Sequence, residues 1–418
     1  MEQTENVPSG EVCLTDLENE LNVSKAKPKK SKKRKKLSGI TLFHKVKERL
    51  GELYDLRFDS IKLEIEIADK GKNNFRILND SNLYVEIREG DFNISKSDLR
   101  EILKSDFVVQ INPINKYFEN LSQYKVGVDT DYIEELANHV NAENQEEFNK
   151  HFKKHLVRTV RCGLNDEYFN KQAFILVQKG QNTGKTTFCR FLCPTTLKDY
   201  FAEDITTDKD GLILLAKNFI INLDELSTLH KSELNALKSY FSKSTINVRL
   251  PYDAKNSNIA RKCSFIGSTN LAEFLTDETG SVRWLCFQIK SIDWNYQSKV
   301  NIDNVWRQAY HLYKTDFKHE LSVEEIKENE LRNAQFQVVT VEEELISKYL
   351  EIPNDSNKDR KEFLQSTEIT SYLQLMSGVN RINNVQMGKV LGKHFERDRK
   401  VKGGIQRFGY WIVKSQDF

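Results

Sequence analysis

Short apolar runs separated by glycine and acidic residues mark the middle of the chain, from about Gln172 onward. Three such runs are Phe174–Val177, Phe219–Leu223 and Phe265–Ile266, and segments of helical pattern lie between them. Strands that are apolar at every position are typical of parallel sheets, which helices cover on both faces. The pattern therefore predicts an α/β fold with a parallel sheet in this part of the chain.

The segments before and after these runs are patterned differently. Residues 61–67 (IKLEIEI) alternate strictly between apolar and polar side chains, which predicts a half-buried strand. Ser95–Lys104 predicts a helix with Ser95 as its N-cap, and Tyr132–Leu164 is mostly helical in pattern. A helical pattern returns after Ile289. We therefore expect a mixed N-terminal region, helices leading into the sheet, and helices after it.

The C-terminal part predicts two helices and a strand pair. The helices cover Ser366–Met376 and Asn384–Phe395, with a turn at 377–378 between them. Two strands lie around 403–404, the second over Arg407–Val413. Helices followed by a strand pair are typical of a winged helix-turn-helix, which binds DNA in many proteins and docks other proteins in some.

Composition narrows the class of protein. Hydrophobic residues make up 39% and charged residues 30% of the chain, which is typical of a soluble globular protein. Because the net charge is only +2, any strongly basic surface must be confined to one part of the molecule. The six cysteines form no CxxC pair, which argues against a zinc ribbon or a disulfide framework and favours a reducing compartment. Cys189 and Cys193 stand four apart; we expect inert packing there, with redox or metal chemistry as the alternative. No apolar run approaches the ~20 residues that span a bilayer, so we expect no membrane association.

The first forty residues end in a basic block. Its nine Lys and Arg residues are Lys25, Lys27, Lys29, Lys30, Lys32, Lys33, Arg34, Lys35 and Lys36. Such a block repels itself and buries no apolar surface, which predicts disorder. The tail either binds nucleic-acid phosphates, or is simply solvated, or is a nuclear address in a eukaryote.

A glycine-containing loop follows the run Phe174–Val177 and precedes an apolar helix, which is the setting of a phosphate-binding loop. The residues predicted to bind nucleotide are Gly180, Gln181, Asn182, Thr183, Gly184, Lys185, Thr186 and Thr187. Lys185 would reach the β and γ phosphates, and the Thr186 hydroxyl would ligate Mg²⁺. The first glycine stands one position later than in the standard pattern, where this chain has Lys179.

Two further runs end in polar residues suited to hydrolysis. Phe219–Leu223 leads to Asp224 and Glu225, which would hold Mg²⁺ through water and act as general base. The alternative is a strand that ends in surface acids. A third strand ends at Asn270, which would orient the attacking water. Together with the loop, these residues predict ATP or GTP hydrolysis.

Arg283 stands just before the apolar run Trp284–Ile289. An exposed arginine there suits an arginine finger that stabilises the transferring phosphoryl group in a neighbouring subunit. The alternative is a salt bridge to Asp277 or Glu278. A finger acting between subunits requires a ring.

Taken together, these motifs resemble the superfamily 3 helicases, and most closely the virulence-associated protein E family of bacterial mobile elements and phages. The motifs are GQNTGKTTF (180–188), NFIINLDEL (218–226), INVRLPYDAK (246–255), FIGSTN (265–270) and DETGSVRW (277–284). Upstream, Asn112–Phe118 looks like the start of the family's helical collar. The family usually has an arginine doublet where this chain has Val282 and Arg283.

The resemblance implies an AAA+ P-loop core with a parallel sheet, in a bacterial cytoplasmic protein. It also implies a hexameric ring that encircles DNA, translocates on one strand and serves replication of a mobile element. With it, the chain divides into a disordered basic tail (1–40), an N-terminal α+β region (41–107), a helical collar (108–165), an ATPase core (166–318), a linker helix (319–340) and a winged-helix-like DNA-binding domain (341–418).

Two basic segments are candidates for DNA contact. The first carries Lys238, Lys243, Arg249, Lys255, Arg261 and Lys262, around a hairpin over 242–257 that faces the pore by resemblance. Lys243 and Lys255 are the predicted strand contacts, while Arg249 could be structural or touch nucleotide; a solvated basic turn is the alternative. The second carries Lys389, Lys393, Arg397, Arg399, Lys400, Lys402 and Arg407, a local basic footprint.

The leading hypothesis is an ATP-dependent, Mg²⁺-dependent DNA helicase, a homo-hexamer acting on single-stranded and forked DNA. No polymerase-type or zinc-primase motif is apparent, so priming would need a separate primase. One alternative is a nucleotide-regulated AAA+ DNA-binding sensor or scaffold without productive unwinding. Another is a non-enzymatic replication factor with a decayed loop, against which Asp224, Glu225, Asn270 and Arg283 argue.

Overall fold

The computed structural model describes residues 41–224, 226, 231–249, 255–275, 282–402 and 404–415. These residues form a mixed α/β molecule with a large, mostly parallel sheet. No helix among them is long and apolar enough to cross a membrane. The basic tail predicted over 1–40 lies outside the described residues.

The N-terminal part is a small sheet with three helices. Its elements are α1 Leu42–Leu53, β1 Tyr54–Asp59, β2 Glu64–Asp69, β3 Arg76–Ile77, α2 Asp80–Glu89, α3 Lys96–Leu103 and β4 Val109–Ile111. The strand order is β3-β2-β1-β4, with β4 parallel to β1, so the sheet extends past residue 107. The Ser95 hydroxyl caps α3 by accepting a hydrogen bond from the Asp98 amide, and the predicted helix is confirmed.

The strand predicted over 61–67 is wrong in its first half, because β2 begins only at Glu64. The carboxylate of Asp59 accepts hydrogen bonds from the amides of Ile61 and Lys62, at 2.8 and 2.9 Å. Leu63 takes a left-handed conformation with φ 59°. These features make the turn between β1 and β2, which the alternating pattern does not reveal.

Helices lead from this region to the central sheet. They are α4 Pro113–Asn120, α5 Tyr132–Asn138 and α6 Gln145–Leu164, with the short strand β5 Val140–Ala142 between the last two. The Asn144 side chain caps α6 by accepting from the Glu147 amide. One side of α6 is fully buried, including Phe148, Phe152 and Val157, which explains why a helix with nine charged or histidine side chains among its twenty stays in place.

The central part alternates strands with helices. Its elements are β6 Ala173–Val177, α7 Lys185–Phe191, a 3-10 helix Thr195–Tyr200, β7 Phe201–Glu203, α8 Lys209–Lys217, β8 Ile220–Leu223, α9 Lys231–Phe241, β9 Thr245–Val248, β10 Ser257–Ala260, β11 Ser264–Thr269 and β12 Trp284–Ile292. The sheet order is β5-β12-β6-β11-β8-β7, and all neighbours are parallel except β5 and β12. The predicted parallel sheet is confirmed.

Both faces of this sheet are buried, which explains its apolar strands. Along β6, Phe174 and Leu176 belong to one hydrophobic core, while Ala173, Ile175 and Val177 belong to the core on the opposite face. Because every position of β6 meets a helical layer, its five residues are all apolar, and polar residues follow where the strand ends. Polar side chains that can bind a ligand are therefore expected beyond the carboxyl ends of the strands, along the edge of the sheet that these ends form.

Three helices follow the sheet: α10 Tyr296–Lys299, α11 Ile302–Lys314 and α12 Val323–Ala334. The Trp306 indole on α11 donates to the Leu192 carbonyl over 2.8 Å, tying α11 to the end of α7. On α12, the buried amides of Asn329 and Asn333 both donate to the Trp284 carbonyl, at 2.9 and 2.8 Å. These bonds fix the helices against the start of β12 and the end of α7.

The C-terminal part has its own hydrophobic core, formed by residues such as Leu345, Ile369, Met387, Leu391 and Ile412. Its elements are α13 Val341–Tyr349, β13 Leu350–Glu351, a 3-10 helix Lys358–Arg360, β14 Glu362–Leu364, α14 Ser366–Ser377, α15 Asn384–His394, β15 Arg397–Lys402 and β16 Ile405–Lys414. The two predicted helices and the strand pair are present within a residue or two of their expected bounds. Four elements, α13, β13, the 3-10 helix and β14, were not predicted.

Candidate functional site

The loop between β6 and α7 turns through three residues in the left-handed region. They are Gly180 at φ 110°, Asn182 at φ 57° and Gly184 at φ 91°. Glycine adopts this conformation without steric cost, so the glycine that stands one position late in the sequence still makes the turn. The loop base is held by Gln178, whose amide donates to the Thr269 carbonyl and whose side chain donates to the Lys290 carbonyl.

Lys185 opens α7 and is only 5% exposed. Its ammonium donates to the carbonyls of Gln178 and Gly180, at 3.3 and 3.1 Å, and to the Thr183 hydroxyl at 2.9 Å. Burial lowers the pKa of Lys185, while the nearby carboxylate of Asp224 opposes that shift. The ammonium therefore points back into the loop, where it donates hydrogen bonds to the loop's own carbonyl and hydroxyl oxygens.

Asp224 directly follows β8 and faces the start of α7. Its Oδ1 accepts hydrogen bonds from the hydroxyls of Thr186 and Ser268, at 2.8 and 2.9 Å. Its amide donates to the Asp204 carboxylate over 3.1 Å. The structure thus brings together Lys185, Thr186 and Asp224, as the sequence predicts.

The donor set suits Mg²⁺ rather than a metal held by many side chains. Thr186 and Asp224 offer hard oxygen atoms within one hydrogen bond of each other. Among the residues that the structure describes, no cluster of three or more His, Cys, Asp or Glu side chains could hold a metal. Mg²⁺ keeps several waters and takes only one or two protein ligands beside a phosphate, so these residues fit it.

Asn270 is half-buried and lies one residue beyond the end of β11. Because β11 lies between β6 and β8, this residue is at the same sheet edge as the loop and Asp224. Glu225, the predicted general base, lies outside the described residues.

Arg283 lies at the opposite edge of the sheet. The Arg283 carbonyl accepts a hydrogen bond from the amide of Ala173, the first residue of β6. Lys185 instead lies beyond the last residue of β6. The length of β6, on the order of 13 Å, separates the two ends. Arg283 is exposed and donates through Nε to the Ser242 hydroxyl at 2.9 Å. The sheet therefore does not bring Arg283 to its own chain's loop, and the alternative partners Asp277 and Glu278 lie outside the described residues.

The predicted hairpin consists of β9 and β10, paired antiparallel from Thr245 opposite Ala260 to Val248 opposite Ser257. Arg249 and Lys255 are exposed beyond the paired residues, and Lys243 is half-buried before them. The tip, 250–254, lies outside the described residues. The exposed cations fit a surface for a phosphate backbone.

Two cations of this segment are not available to DNA. Arg261 is fully buried, and its guanidinium donates to the carbonyls of Asn170, Tyr240, Phe241, Lys243 and Cys263. Lys262 is also buried; its ammonium donates to the Gly163 carbonyl at 3.1 Å and pairs with Asp166. These two cations therefore do not belong to the exposed basic surface of this segment, because basic character in the sequence does not distinguish a solvated cation from one that satisfies buried carbonyls.

The basic footprint of the C-terminal part is exposed along α15, β15 and β16. Its exposed members include Lys389, Lys393, Arg397, Arg399, Lys400 and Arg407. Lys393 pairs with Glu343 at 2.8 Å, and the Lys400 ammonium lies 4.2 Å from the centre of the Trp411 ring. The side chain of Lys402 lies outside what the structure describes.

An aromatic ring stands among these cations. Phe408 is 55% exposed, and the guanidinium of Arg397 lies 4.7 Å from the centre of its ring. Arg399 approaches the same ring at 6.0 Å. An exposed ring flanked by guanidinium groups is a surface on which both phosphates and bases can be bound.

Sequence reasoning missed two residues of the site. Ser268 belongs to the FIGSTN motif, but its bond to Asp224 depends on β11 and β8 being neighbours. Asp204 follows the short strand β7 and takes φ 61°, an uncommon conformation outside glycine. An acidic residue directly after a strand could have pointed to Asp204 as a site residue. The strand itself, β7, was not predicted, so this signal was not recognised.

Cys189 packs in the core between α7 and the sheet, and burial raises the pKa of its thiol well above the usual range. Burial also raises the pKa of Cys193 to about 12. Both thiols are protonated at neutral pH, which agrees with a packing role.

Comparison with known proteins identifies one family. The Virulence-associated protein E-like domain matches residues 121–338, slightly more than half of the chain. No curated protein matches the chain. The fold is similar to the solved apo structure of the NrS-1 C-terminal region (305–718), with a TM-score of 0.50, 15% identity, and coverage of 90% of this chain and 99% of that one. A second structure of that region, its A form, gives a TM-score of 0.48 and 14% identity over 90% and 99% of the two chains.

Proposed function

Because this chain belongs to the Virulence-associated protein E-like domain family, we propose that it is an ATP-hydrolysing DNA helicase that serves the replication of a phage or mobile element. The observation that carries the proposal is the junction of Thr186, Asp224 and Ser268 beside the buried Lys185, all at one edge of a parallel sheet. In this proposal the central part is an AAA+ P-loop core of the superfamily 3 type.

Hydrolysis follows from the roles of these groups. Lys185 exchanges its loop partners for the β and γ phosphates, since it already lies among the loop's carbonyls. Thr186 and Asp224 would hold Mg²⁺, which would neutralise charge on the phosphates when bound. Glu225 takes a proton from the attacking water, and Asn270 orients that water from the neighbouring strand. Ser268 keeps the Asp224 carboxylate pointed at the site.

The position of Arg283 supports a shared site. An arginine at the far edge of the sheet is out of reach of its own loop, but it can meet the loop of an adjacent subunit. We therefore propose a homo-hexameric ring in which Arg283 completes the site of a neighbour.

DNA is the proposed partner, as single-stranded and forked substrate. Lys243, Arg249 and Lys255 on the β9–β10 hairpin would contact the translocating strand through its phosphates. The C-terminal part, as a winged helix, would bind duplex or fork DNA through Lys389, Lys393, Arg397 and Arg407, grouped on α15 and the strand pair. A separate primase would supply priming.

The test is ATP hydrolysis by the wild-type protein, with and without single-stranded DNA, beside two variants of one loop. Lys185→Ala removes the buried ammonium, whereas Lys179→Ala removes an exposed one six residues earlier. We expect hydrolysis that DNA stimulates, that Lys185→Ala abolishes and that Lys179→Ala leaves within about twofold. Turnover by Lys185→Ala would move the active site elsewhere, and hydrolysis indifferent to DNA would favour a nucleotide-regulated sensor or scaffold.

A further inference from the structure

A half-exposed tryptophan lies against the phosphate-binding loop. Trp294, two residues beyond the end of β12, is 49% exposed. A β-carbon built on Gly184 would lie 2.8, 3.1 and 3.2 Å from Cζ2, Cη2 and Cε2 of Trp294. All three atoms belong to the six-membered ring of the indole, so this ring touches the backbone of the residue just before Lys185.

The backbone around Trp294 is fixed on both sides. The Asp293 amide donates to the His139 carbonyl at 2.8 Å, and the Asp293 carboxylate is paired with the His139 ring at 2.8 Å. On the other side, Tyr296 is fully buried and packs edge-on against Phe188 and Phe191 of α7, with ring centres 5.3 and 4.8 Å apart. Trp294 is therefore held at the loop while half of its surface remains open.

The sheet order separates two sides of the loop. Asp224, Ser268 and Asn270 follow or end β8 and β11, which lie on one side of β6. Trp294 follows β12, which lies on the other side of β6. A triphosphate whose terminal phosphate lies beside Asp224 and Asn270 thus directs its nucleoside toward β12, where the indole stands.

We propose that Trp294 is the nucleobase platform of the nucleotide site, with the open part of its indole stacking on the base. This inference rests on the proposed nucleotide site and adds the group that binds the base. Every nucleobase has a π face, so stacking gives affinity with little base selectivity. ATP and GTP should therefore bind with similar strength, and both should depend on Trp294.

The test separates the base from the phosphates by measuring the binding of Mg²⁺ complexes of ATP, GTP and inorganic tripolyphosphate to the full chain. Trp294→Ala should weaken ATP and GTP roughly tenfold and leave tripolyphosphate within about twofold. Trp294→Phe, which keeps an aromatic face, should retain most of the nucleotide affinity. Trp411→Ala, which removes an indole from the C-terminal part, is the matched control and should change none of the three.

Two results would overturn the inference while leaving the nucleotide site intact. One is a nucleotide affinity that Trp294→Ala leaves unchanged. The other is a loss of tripolyphosphate affinity in Trp294→Ala as large as its loss of nucleotide affinity, because the indole would then only support the loop. A wild-type protein that binds neither nucleotide nor tripolyphosphate would instead overturn the proposed function, and this inference with it. Quenching of tryptophan fluorescence by ATP, present in the wild type and absent in Trp294→Phe, is the independent spectroscopic check.

Discussion

The hydroxyl of Thr186 donates a hydrogen bond to the carboxylate of Asp224 over 2.8 Å, although 38 positions separate the two residues in sequence. Thr186 stands in the first turn of α7 and Asp224 directly after β8, so the bond joins a helix start to a strand end. Since β11 lies between β6 and β8, it is the strand order that allows Ser268 to reach the same carboxylate oxygen.

Removing the charge of Asp224 should abolish Mg²⁺-dependent hydrolysis. Asp224→Asn keeps the shape of the side chain but loses the anionic oxygen, and we expect at least a roughly 100-fold loss of ATP turnover, on the scale of a lost transition-state contact. Ser268→Ala removes only a group that orients the carboxylate, so its expected loss is about tenfold. Ser264→Ala, a serine at the far end of the same strand, is the control; a loss there equal to that of Ser268→Ala would contradict the assigned role.

Arg283→Ala should lose hydrolysis and keep nucleotide binding, because the guanidinium lies at the sheet edge away from its own loop. Mixing Arg283→Ala with Glu225→Gln should partly restore turnover, since some mixed interfaces then combine an intact arginine with an intact base. The measurement is steady-state ATP hydrolysis over a series of mixing ratios. Lys290→Ala, at the other end of β12, should hydrolyse ATP like the wild type. Absence of rescue at every ratio would count against a shared site.

Gly184→Ala should both strain and crowd the loop. The residue has φ 91°, and an added β-carbon would lie 2.8 Å from the Trp294 ring. Left-handed backbone costs a non-glycine residue about 1–2 kcal/mol, and the contact adds to that cost. Gly71 has φ 74° with open space around it, so Gly71→Ala reports the backbone cost alone. We expect the loss in unfolding free energy to be larger for Gly184→Ala in denaturant titrations; equal losses would mean that the ring yields freely.

Acid should destabilise the protein between pH 6.5 and 4. His151 on α6 is fully buried, and burial, helped by the charge of Arg332, lowers the pKa of this imidazole from 6.5 to about 4. Burial lowers the pKa of His155 as well. In this window the unfolded chain binds more protons than the folded protein, so the free energy of unfolding decreases as the pH falls. For His151 alone the full change is on the order of 3 kcal/mol.

The measurement is the unfolding free energy against pH for the wild type, His151→Gln and His44→Gln. His151→Gln should flatten the curve between pH 4 and 6.5, although its stability at pH 7 will also be lower because the site is buried. His44 is exposed, and its replacement should leave the slope unchanged. A slope that His151→Gln does not reduce would assign the acid sensitivity to other groups.

DNA binding by the C-terminal part should depend on Arg407 more than on Lys393. Both are exposed, but Lys393 already pairs with Glu343 at 2.8 Å and must break that pair to meet a phosphate. Arg407→Ala should weaken binding and reduce the slope of log affinity against log salt by about 0.9, the value of one phosphate contact to duplex DNA. The readout is fluorescence anisotropy on forked DNA at several salt concentrations. Lys393→Ala should weaken binding less than Arg407→Ala, and Lys348→Ala on α13 is the control. An equal effect from these three variants would indicate that only net charge matters.

The central strands could be predicted because their chemistry is local. Each position of β6, β8 and β11 is buried, which favours apolar side chains along most of each strand and polar residues where it ends. For the same reason Lys185, Thr186 and Asp224 could be chosen from the sequence. Gly180 could be included because a phosphate-binding loop needs a residue that turns in the left-handed region.

The remaining features depend on pairings that no local pattern encodes. The edge strands β5 and β7 have three residues each, and their conformation is set by the partner strand rather than by their own sequence. The contact of Trp294 with Gly184 requires β12 to lie beside β6. Arg261 looks like any solvated arginine until the carbonyls around it are known.

The buried guanidinium of Arg261 has a mechanical consequence. It joins the last turn of α9, the segment before β6 and the first residues leading into β11, directly at the base of the β9–β10 hairpin. The base of the hairpin is therefore held by hydrogen bonds where the chain passes from β10 into β11. From there β11 runs without interruption to Ser268 and its bond to Asp224. Each residue from Ser264 to Thr269 is paired with β6 or β8, so the base of the hairpin and the carboxylate of Asp224 lie at the two ends of one continuously hydrogen-bonded strand.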